Sequence, residues 1–184
     1  MVKANLQMGD APGFKPHVKM VLFWSIFMLL YFAYRFFPVF PLSLICSTTE
    51  SNFQHYKSTF VAFLILNLIE FFVYRRQIVD RKNYAVSRIA ATTFAPWIVF
   101  ILWYIAPAVY GKMPMIPLEI LYANIITLLV GYFVATLEQG LAQIRYSMNL
   151  TAVILTLFVV SILLYISFTF KLPWADVFVE PDWR

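Results

Sequence analysis

Five stretches of the sequence are apolar over the roughly 17–25 residues that an α-helix needs to cross a bilayer. They cover residues 20–40, 58–74, 86–110, 115–137 and 149–170. Because lipid offers the backbone no hydrogen-bond partner, such a stretch must form a helix that satisfies its own amides. The composition agrees: 62% of the 184 residues are hydrophobic and only 12% are charged, against about 25% charged residues in soluble domains. We predict an all-α integral membrane protein with five transmembrane helices.

Polar residues beside two of these stretches extend the predicted helices. Ser47 and Glu50 have the spacing of a capping box, in which a hydroxyl and a carboxylate three residues later bond the free amides of a first turn. We therefore predict that the second helix begins at residue 48. The fifth helix is predicted to begin at residue 143. The predicted transmembrane domain, 20–170, follows a cytoplasmic tail, 1–19, and precedes an aromatic outer tail, 171–184. Its helices cover 20–40, 48–74, 86–110, 115–137 and 143–170.

The distribution of basic residues predicts the orientation. With five spans, the N-terminus and the loops after the second and fourth spans share one side, and that side carries most of the Lys and Arg residues. The positive-inside rule then places the N-terminus in the cytoplasm and the C-terminus on the outer side, and we assign the protein to the cell (cytoplasmic) membrane. The inner loop RRQIVDRK is predicted to contact anionic lipid headgroups. Its basic residues are Arg75, Arg76, Arg81 and Lys82.

The polar stretch CSTTESNFQHYK, residues 46–57, lies on the predicted outer side and is open to two interpretations. Ser51 and His55 stand one helical turn apart, so they could share a hydrogen bond or hold a metal-bound water. The plainer interpretation is a capped helix start with a solvated histidine and a surface pair between Glu50 and Lys57.

Two charged residues of other spans are predicted to reach the same side. Arg35 lies near the outer end of the first span, where it either extends to lipid headgroups or pairs with an acid. Glu119 lies in the first turn of the fourth span, where a carboxylate suits the helix dipole. The candidate outer pocket therefore comprises Glu50, Ser51, His55, Lys57, Glu119 and Arg35.

Glu70 lies twelve residues into the second apolar stretch, roughly 18 Å along a helix at about 1.5 Å per residue. A charge at that depth is costly, which makes it a functional candidate by default. The alternative is a structural ion pair or a protonated, hydrogen-bonded acid. The possible ion-pair partners near the inner boundary are Arg75, Arg76 and Arg88. The mid-span amides Asn67 and Asn124 are predicted to bond to neighbouring helices.

The sequence offers little for metal or nucleic-acid chemistry. The histidines, His17 and His55, are predicted on opposite sides, whereas a catalytic zinc has three protein ligands. No cofactor is predicted, and a metal at His55 is left open. The single cysteine, Cys46, excludes an internal disulfide. The basic residues flank the membrane and form no patch with interleaved aromatics, so nucleic acid is not an expected partner.

Four segments of the sequence also resemble parts of a known protein family. The second span begins with TTESNFQHYK, the first contains LLYFAYRFF, the fourth contains IPLEILYANIITLLVGYFVA, and FTFKLPWADVFVEP follows the fifth. In order and spacing they resemble a family of small five-span membrane proteins with a domain-of-unknown-function label, whose typical second span begins Asn-Glu-Ser-x-Trp-Glu-His-x-Lys. The resemblance covers most of residues 25–182.

This resemblance implies an outer site that is only partly retained. Tyr31 stands where the family has a His, and Arg35 where it has a Glu. The Ser51-x-x-x-His55 element is also similar to one in the seven-helix membrane hydrolases that include ceramidases, where a Ser, an Asp and three His form a zinc site. This chain lacks the other two histidines. The family positions that it keeps are Glu50, Ser51, His55, Lys57 and Glu70.

These observations favour a non-catalytic function, as an accessory, assembly or lipid-contacting subunit of a membrane protein complex. Its expected partners are membrane lipids and other membrane subunits. Aromatic residues of the tail are expected to dock on a partner, since Trp and other large aromatics dominate interfaces: Trp174, Phe178 and Trp183. One alternative is a metal-dependent membrane hydrolase with an outer pocket around His55. A second is a small carrier or ion-handling protein that uses Glu70.

Overall fold

The computed structural model describes residues 12–111 and 115–179. They form six α-helices and a short 3-10 helix. The helices are α1 (Pro16–Phe36), α2 (Phe40–Ile45), α3 (Asn52–Tyr74), α4 (Arg81–Tyr110), α5 (Ile116–Ala142) and α6 (Met148–Phe170), and the 3-10 helix is Asp176–Phe178. All except α2 and the 3-10 helix are long and apolar enough to cross a membrane. The predicted all-α architecture with five transmembrane helices is therefore confirmed.

The helix ends differ from several predicted ones. Helix α1 begins at Pro16, so Lys19 belongs to the first span and not to the tail, and it ends at Phe36. The predicted continuation to residue 40 is replaced by a break and the short helix α2. Helix α6 begins at Met148 rather than 143, because the Ser147 hydroxyl caps it by accepting the Leu150 N–H at 3.2 Å.

The predicted capping box at the start of the second span is wrong. Helix α3 begins at Asn52, not at 48, and Ser51 is its N-cap residue without a side-chain capping bond. The Ser47 hydroxyl lies 2.8 Å from that of Ser58, and the Glu50 carboxylate accepts the Tyr31 hydroxyl. Both side chains are engaged by tertiary partners, so neither is left to cap a helix.

Helices α1, α3, α4 and α5 enclose the main core. At its centre the Phe23 ring stacks on Phe63, with centroids 4.2 Å apart. Gly131 allows α5 to approach α1 closely, since a Cβ atom there would lie 2.9 Å from Phe23 Cδ1 and 3.1 Å from Met20 Cα. Helix α6 lies at the periphery and is the least buried of the five spans.

The connections divide the bundle into two ends. Residues 75–80 and 143–147 lie together with the start of α1 at one end, which we call the basic end. Residues 37–51 and 171–179 lie at the opposite end, which we call the cavity end. The four basic residues predicted to contact headgroups are exposed at the basic end: Arg75, Arg76, Arg81 and Lys82.

Candidate functional site

A cavity of about 660 Å³ lies between α1, α3, α4 and α5 at the cavity end. One of its lining residues, Asn124 of α5, accepts the Trp24 indole N–H of α1 at 3.0 Å. The predicted interhelical role of Asn124 is thereby confirmed. Most of the wall is apolar and comes from Phe27, Met28, Phe32, Val99, Trp103, Ile116, Ile120, Ala123 and Ile126.

His55 presents the edge of its ring to this cavity. One face stacks against Tyr31, with centroids 5.7 Å apart and planes at 12°. Phe27 stacks on the ring at 6.3 Å and 25°, and Trp103 lies at 6.5 Å. Within the described part of the chain, neither imidazole nitrogen makes a hydrogen bond. A neutral imidazole has one donor and one acceptor nitrogen, so a bound molecule could use both.

Three charged side chains lie at the mouth of the cavity, and they differ in whether they have an interaction partner. Glu50 accepts the hydroxyl of Tyr31, which ties the segment before α3 to α1. Glu119 is partly buried and has an interaction partner of its own. Arg35 is exposed and lines the cavity. It forms no ion pair or hydrogen bond with any residue of 12–111 or 115–179. An ion pair of Arg35 with Glu50, one form of the pairing alternative, is not formed; that carboxylate accepts the Tyr31 hydroxyl instead.

Two predicted pocket residues lie outside the cavity. Ser51 is fully buried and accepts a hydrogen bond from the Thr49 hydroxyl at 3.2 Å. Lys57 extends to the other side of α3, where Nζ donates to the Ser43 carbonyl at 2.8 Å and to Thr169 Oγ1 at 3.3 Å. Consecutive helical residues are about 100° apart. Lys57 follows His55 by two residues, so the two side chains lie on different faces of α3. These described side chains form neither a Ser51–His55 hydrogen bond nor a Glu50–Lys57 pair.

A second polar site, which we call the charged cluster, lies near the basic end. The Lys19 ammonium of α1 donates to Asn67 Oδ1 at 2.6 Å, to Glu70 Oε2 at 2.9 Å and to the Glu138 carboxylate of α5. Arg88 Nε of α4 donates to Glu70 Oε2 at 3.2 Å. The four charged side chains are at most 6% exposed. Two cations therefore balance two carboxylates inside the bundle.

Polar neighbours complete the charged cluster. Asn67 Nδ2 donates to Glu138 Oε1 at 2.8 Å and to Thr92 Oγ1 at 3.0 Å, and the Tyr84 hydroxyl donates to Glu70 Oε2 at 3.0 Å. Both oxygens of Glu138 and the Oε2 atom of Glu70 thus have donors, as buried charges require. The predicted interhelical bonding of Asn67 is confirmed.

The segment before α1 covers the charged cluster. The Phe14 amide donates to Glu70 Oε1 at 2.8 Å, and the Phe14 ring packs edge-on against Tyr74 at 5.4 Å. A Cβ atom on Gly13 would lie 2.8 Å from Glu70 Oε1 and 3.0 Å from Arg88 Nη2. A larger residue at this position would have to displace the charged side chains, because the backbone itself lies against them.

The sequence predicted only part of this cluster. The ion pair of Glu70 with Arg88 was among its expectations and is confirmed, whereas Arg75 and Arg76 point to solvent. The predicted bounds placed Lys19 in the N-terminal tail and Glu138 in the loop after the fourth span. The available signal was helical spacing: Glu138 lies seven residues after Gly131, on the face of α5 that meets α1.

The described part of the aromatic tail, residues 171–179, contributes no residue to the lining of the cavity. The Phe178 ring packs against Phe53 at 4.8 Å and against Phe168 at 5.2 Å, on the side of α3 and α6. Trp174 is 95% exposed. Trp183 lies outside the described residues.

The chain matches no family model, no curated protein and no solved structure with which it was compared. The described residues also contain no group of three His, Cys, Asp or Glu side chains that could hold a metal ion. A zinc site like that of the membrane hydrolases therefore has no ligand set within 12–111 and 115–179.

Proposed function

We propose that the protein is a non-catalytic lipid-binding membrane protein, and that it acts as an accessory or assembly subunit of a membrane complex. The observation that carries this proposal is the cavity of about 660 Å³. Binding sites for small molecules typically measure about 300–1,000 Å³ and combine apolar walls with a few polar groups. Here the cavity lining is mostly apolar, and its charged side chains, including that of Arg35, lie toward the mouth, so an amphipathic lipid fits the pattern.

The geometry supports binding better than hydrolysis. A nucleophile and its base must lie within hydrogen-bond reach of each other, and Ser51 is held by Thr49 outside the cavity. The hydroxyl of Tyr31, whose ring stacks on His55, is bound to Glu50. Within the described residues, His55 therefore has a stacking environment but no serine partner.

The geometry also favours binding over transport through Glu70. A carrier that used this acid would need it to be released from its partners in each cycle. Glu70 instead accepts four hydrogen bonds, from Phe14, Lys19, Tyr84 and Arg88. Such a network stabilises the helix contacts and is the structural ion pair that the sequence left open.

A volume test addresses lipid binding. Ala123→Phe places a ring in the cavity, whereas Ala152→Phe adds the same ring to the exposed surface of α6. Wild type and both variants are purified in a gentle detergent, and co-purified lipid is quantified by native mass spectrometry. We expect Ala123→Phe to lose the bound lipid and Ala152→Phe to retain it. Equal lipid content in all three proteins would contradict the proposal.

A purification test addresses the subunit role. The tagged chain is extracted from its native membrane in the same detergent, and the proteins that co-elute are identified by mass spectrometry. We expect stoichiometric membrane partners. A monodisperse lone monomer would remove the subunit role and leave lipid binding to stand on the volume test.

We further propose that the basic end faces the cytoplasm and that the cavity opens toward the outer leaflet of the cell membrane. The support is the positive-inside rule applied to the exposed arginines of residues 75–81. The test labels Arg76→Cys and Lys171→Cys with a membrane-impermeant maleimide on intact cells. We expect labelling of the second variant alone; labelling of the first alone would reverse the orientation.

A further inference from the structure

The charged groups at the mouth of the cavity differ in whether they are already engaged. The carboxylate of Glu50 holds the Tyr31 hydroxyl, and Glu119 has its own partner. The guanidinium of Arg35 bonds to no described residue although it lines the cavity. Among the described residues, Arg35 is therefore the charged group at the mouth whose hydrogen-bond donors remain available to a ligand.

The imidazole of His55 and the side chain of Arg35 are both neighbours of Tyr31 and line the same cavity. Arg35 follows Tyr31 by four residues in α1, which is one helical turn, and Tyr31 stacks on His55. Tyr31 and Phe27 both stack on the ring of His55, and a ligand would bond to this imidazole through a ring nitrogen at its edge. A cation and an imidazole that makes no hydrogen bond with the described residues thus line one mostly apolar cavity.

We propose that the headgroup recognised here is an oxyanion, a carboxylate or a phosphate, carried on an apolar chain. Guanidinium groups bind both oxyanions through paired, charge-assisted hydrogen bonds, and the imidazole N–H supplies a further donor. The chain extends from Arg35 toward Phe27, eight residues or roughly 12 Å deeper along α1. This inference rests on the proposed function, because it names the chemistry of the lipid in the same cavity.

The test compares three probes with the same apolar chain: palmitic acid, palmitoyl lysophosphatidic acid and cetyl alcohol. Each is titrated into the full-length protein in a neutral detergent at alkaline pH, and binding is read by competition with a fluorescent lipid. We expect at least one anionic probe to bind about tenfold more tightly than the alcohol. The preferred anion then identifies carboxylate or phosphate as the headgroup.

Variants show whether the preference depends on Arg35. Arg35→Gln is expected to abolish the roughly tenfold advantage of the anion and to leave the alcohol unchanged, while Arg76→Gln at the basic end leaves both unchanged. His55→Phe preserves ring stacking but removes both nitrogens, and it is expected to weaken binding of the anion. Because Arg35 is exposed, unfolding of the variant is not expected, and its melting temperature provides the check.

The outcomes separate the two proposals. Equal binding of the acid, the lysophospholipid and the alcohol would overturn the oxyanion inference and leave lipid binding in place. Retention of the anion preference by Arg35→Gln would also overturn it. Failure of all three probes to compete would overturn the proposed lipid-binding function itself.

Discussion

Replacement of Lys19 by Met tests whether the charged cluster holds the bundle together. The ammonium joins three helices, since it bonds to Asn67 and Glu70 on α3 and to Glu138 on α5. Methionine has a similar length and keeps the apolar part of the side chain. The substitution therefore removes the charge and its hydrogen bonds with little change in volume.

The structure indicates which carboxylate is destabilised when Lys19 is replaced. Without Lys19, Glu70 still accepts from the Phe14 amide, the Tyr84 hydroxyl and Arg88. Glu138 keeps only the Asn67 amide at 2.8 Å, and it remains buried at 1% exposure. Breaking a buried ion pair from one side costs about 3–5 kcal/mol, because the remaining charge is uncompensated. We expect the free energy of unfolding to fall by this amount.

The double variant Lys19→Met with Glu138→Gln separates charge from packing. It leaves Arg88 paired with Glu70 and no uncompensated carboxylate, so it is expected to recover about 2 kcal/mol relative to the single variant. Unfolding is measured by titration with SDS in mixed micelles and followed by tryptophan fluorescence and circular dichroism. Lys82→Met, at an exposed position, is the matched control and is expected to change stability by less than about 0.5 kcal/mol.

Two results would refute this reasoning. The first is a Lys19→Met variant within about 0.5 kcal/mol of wild type, as expected of an exposed position. The second is a double variant that loses the sum of the two single effects, since additivity would mean that the ammonium and the carboxylate do not interact.

Three further predictions concern other contacts. Gly131→Ala is expected to destabilise the bundle by about 1–3 kcal/mol through overpacking, whereas Gly140→Ala, with open space around it, is expected to be neutral or stabilising in the same SDS titration. Burial raises the pKa of the Cys46 thiol and so lowers its thiolate fraction at a given pH. A maleimide is therefore expected to modify Cys46 only after denaturation. Labelling of the native protein would contradict the burial of this thiol. Tyr31→Phe removes the hydrogen bond to the partly buried Glu50 and is expected to cost about 1 kcal/mol, whereas an unchanged unfolding midpoint would show that Glu50 does not depend on Tyr31.

The number of spans was predictable because bilayer thickness imposes a length that a sequence shows directly. The ends of the spans were less predictable, and two of the four charged residues of the cluster lie there. Lys19 and Glu138 fall next to the apolar stretches, where hydropathy does not distinguish a snorkelling side chain from one that points inward. Only the packing of α1 against α5 at Gly131 brings both charges to Asn67 and Glu70.

The polar stretch before α3 was harder to interpret for a different reason. Its local spacing fits a capping box, but the decisive partners of Glu50 and Ser47 are Tyr31 and Ser58. A local pattern identifies what a side chain can do within one turn, whereas tertiary partners decide what it does. The same limitation applies to Lys57 and His55, which are two residues apart in sequence but contact different neighbours: Lys57 bonds to the Ser43 carbonyl, whereas His55 stacks on Tyr31.

The position of the two polar sites along the helices supports binding over conduction. On α3, Phe63 and Leu66 are fully buried between the cavity residue Thr59 and the cluster residue Asn67. The ring of Phe23 on α1 stacks across this layer. From Thr59 to Asn67 the helix rises roughly 12 Å, at about 1.5 Å per residue. A proton or ion would have to cross this apolar layer without a polar partner, which is costly. A ligand that enters from the cavity end is therefore expected to leave by the same end.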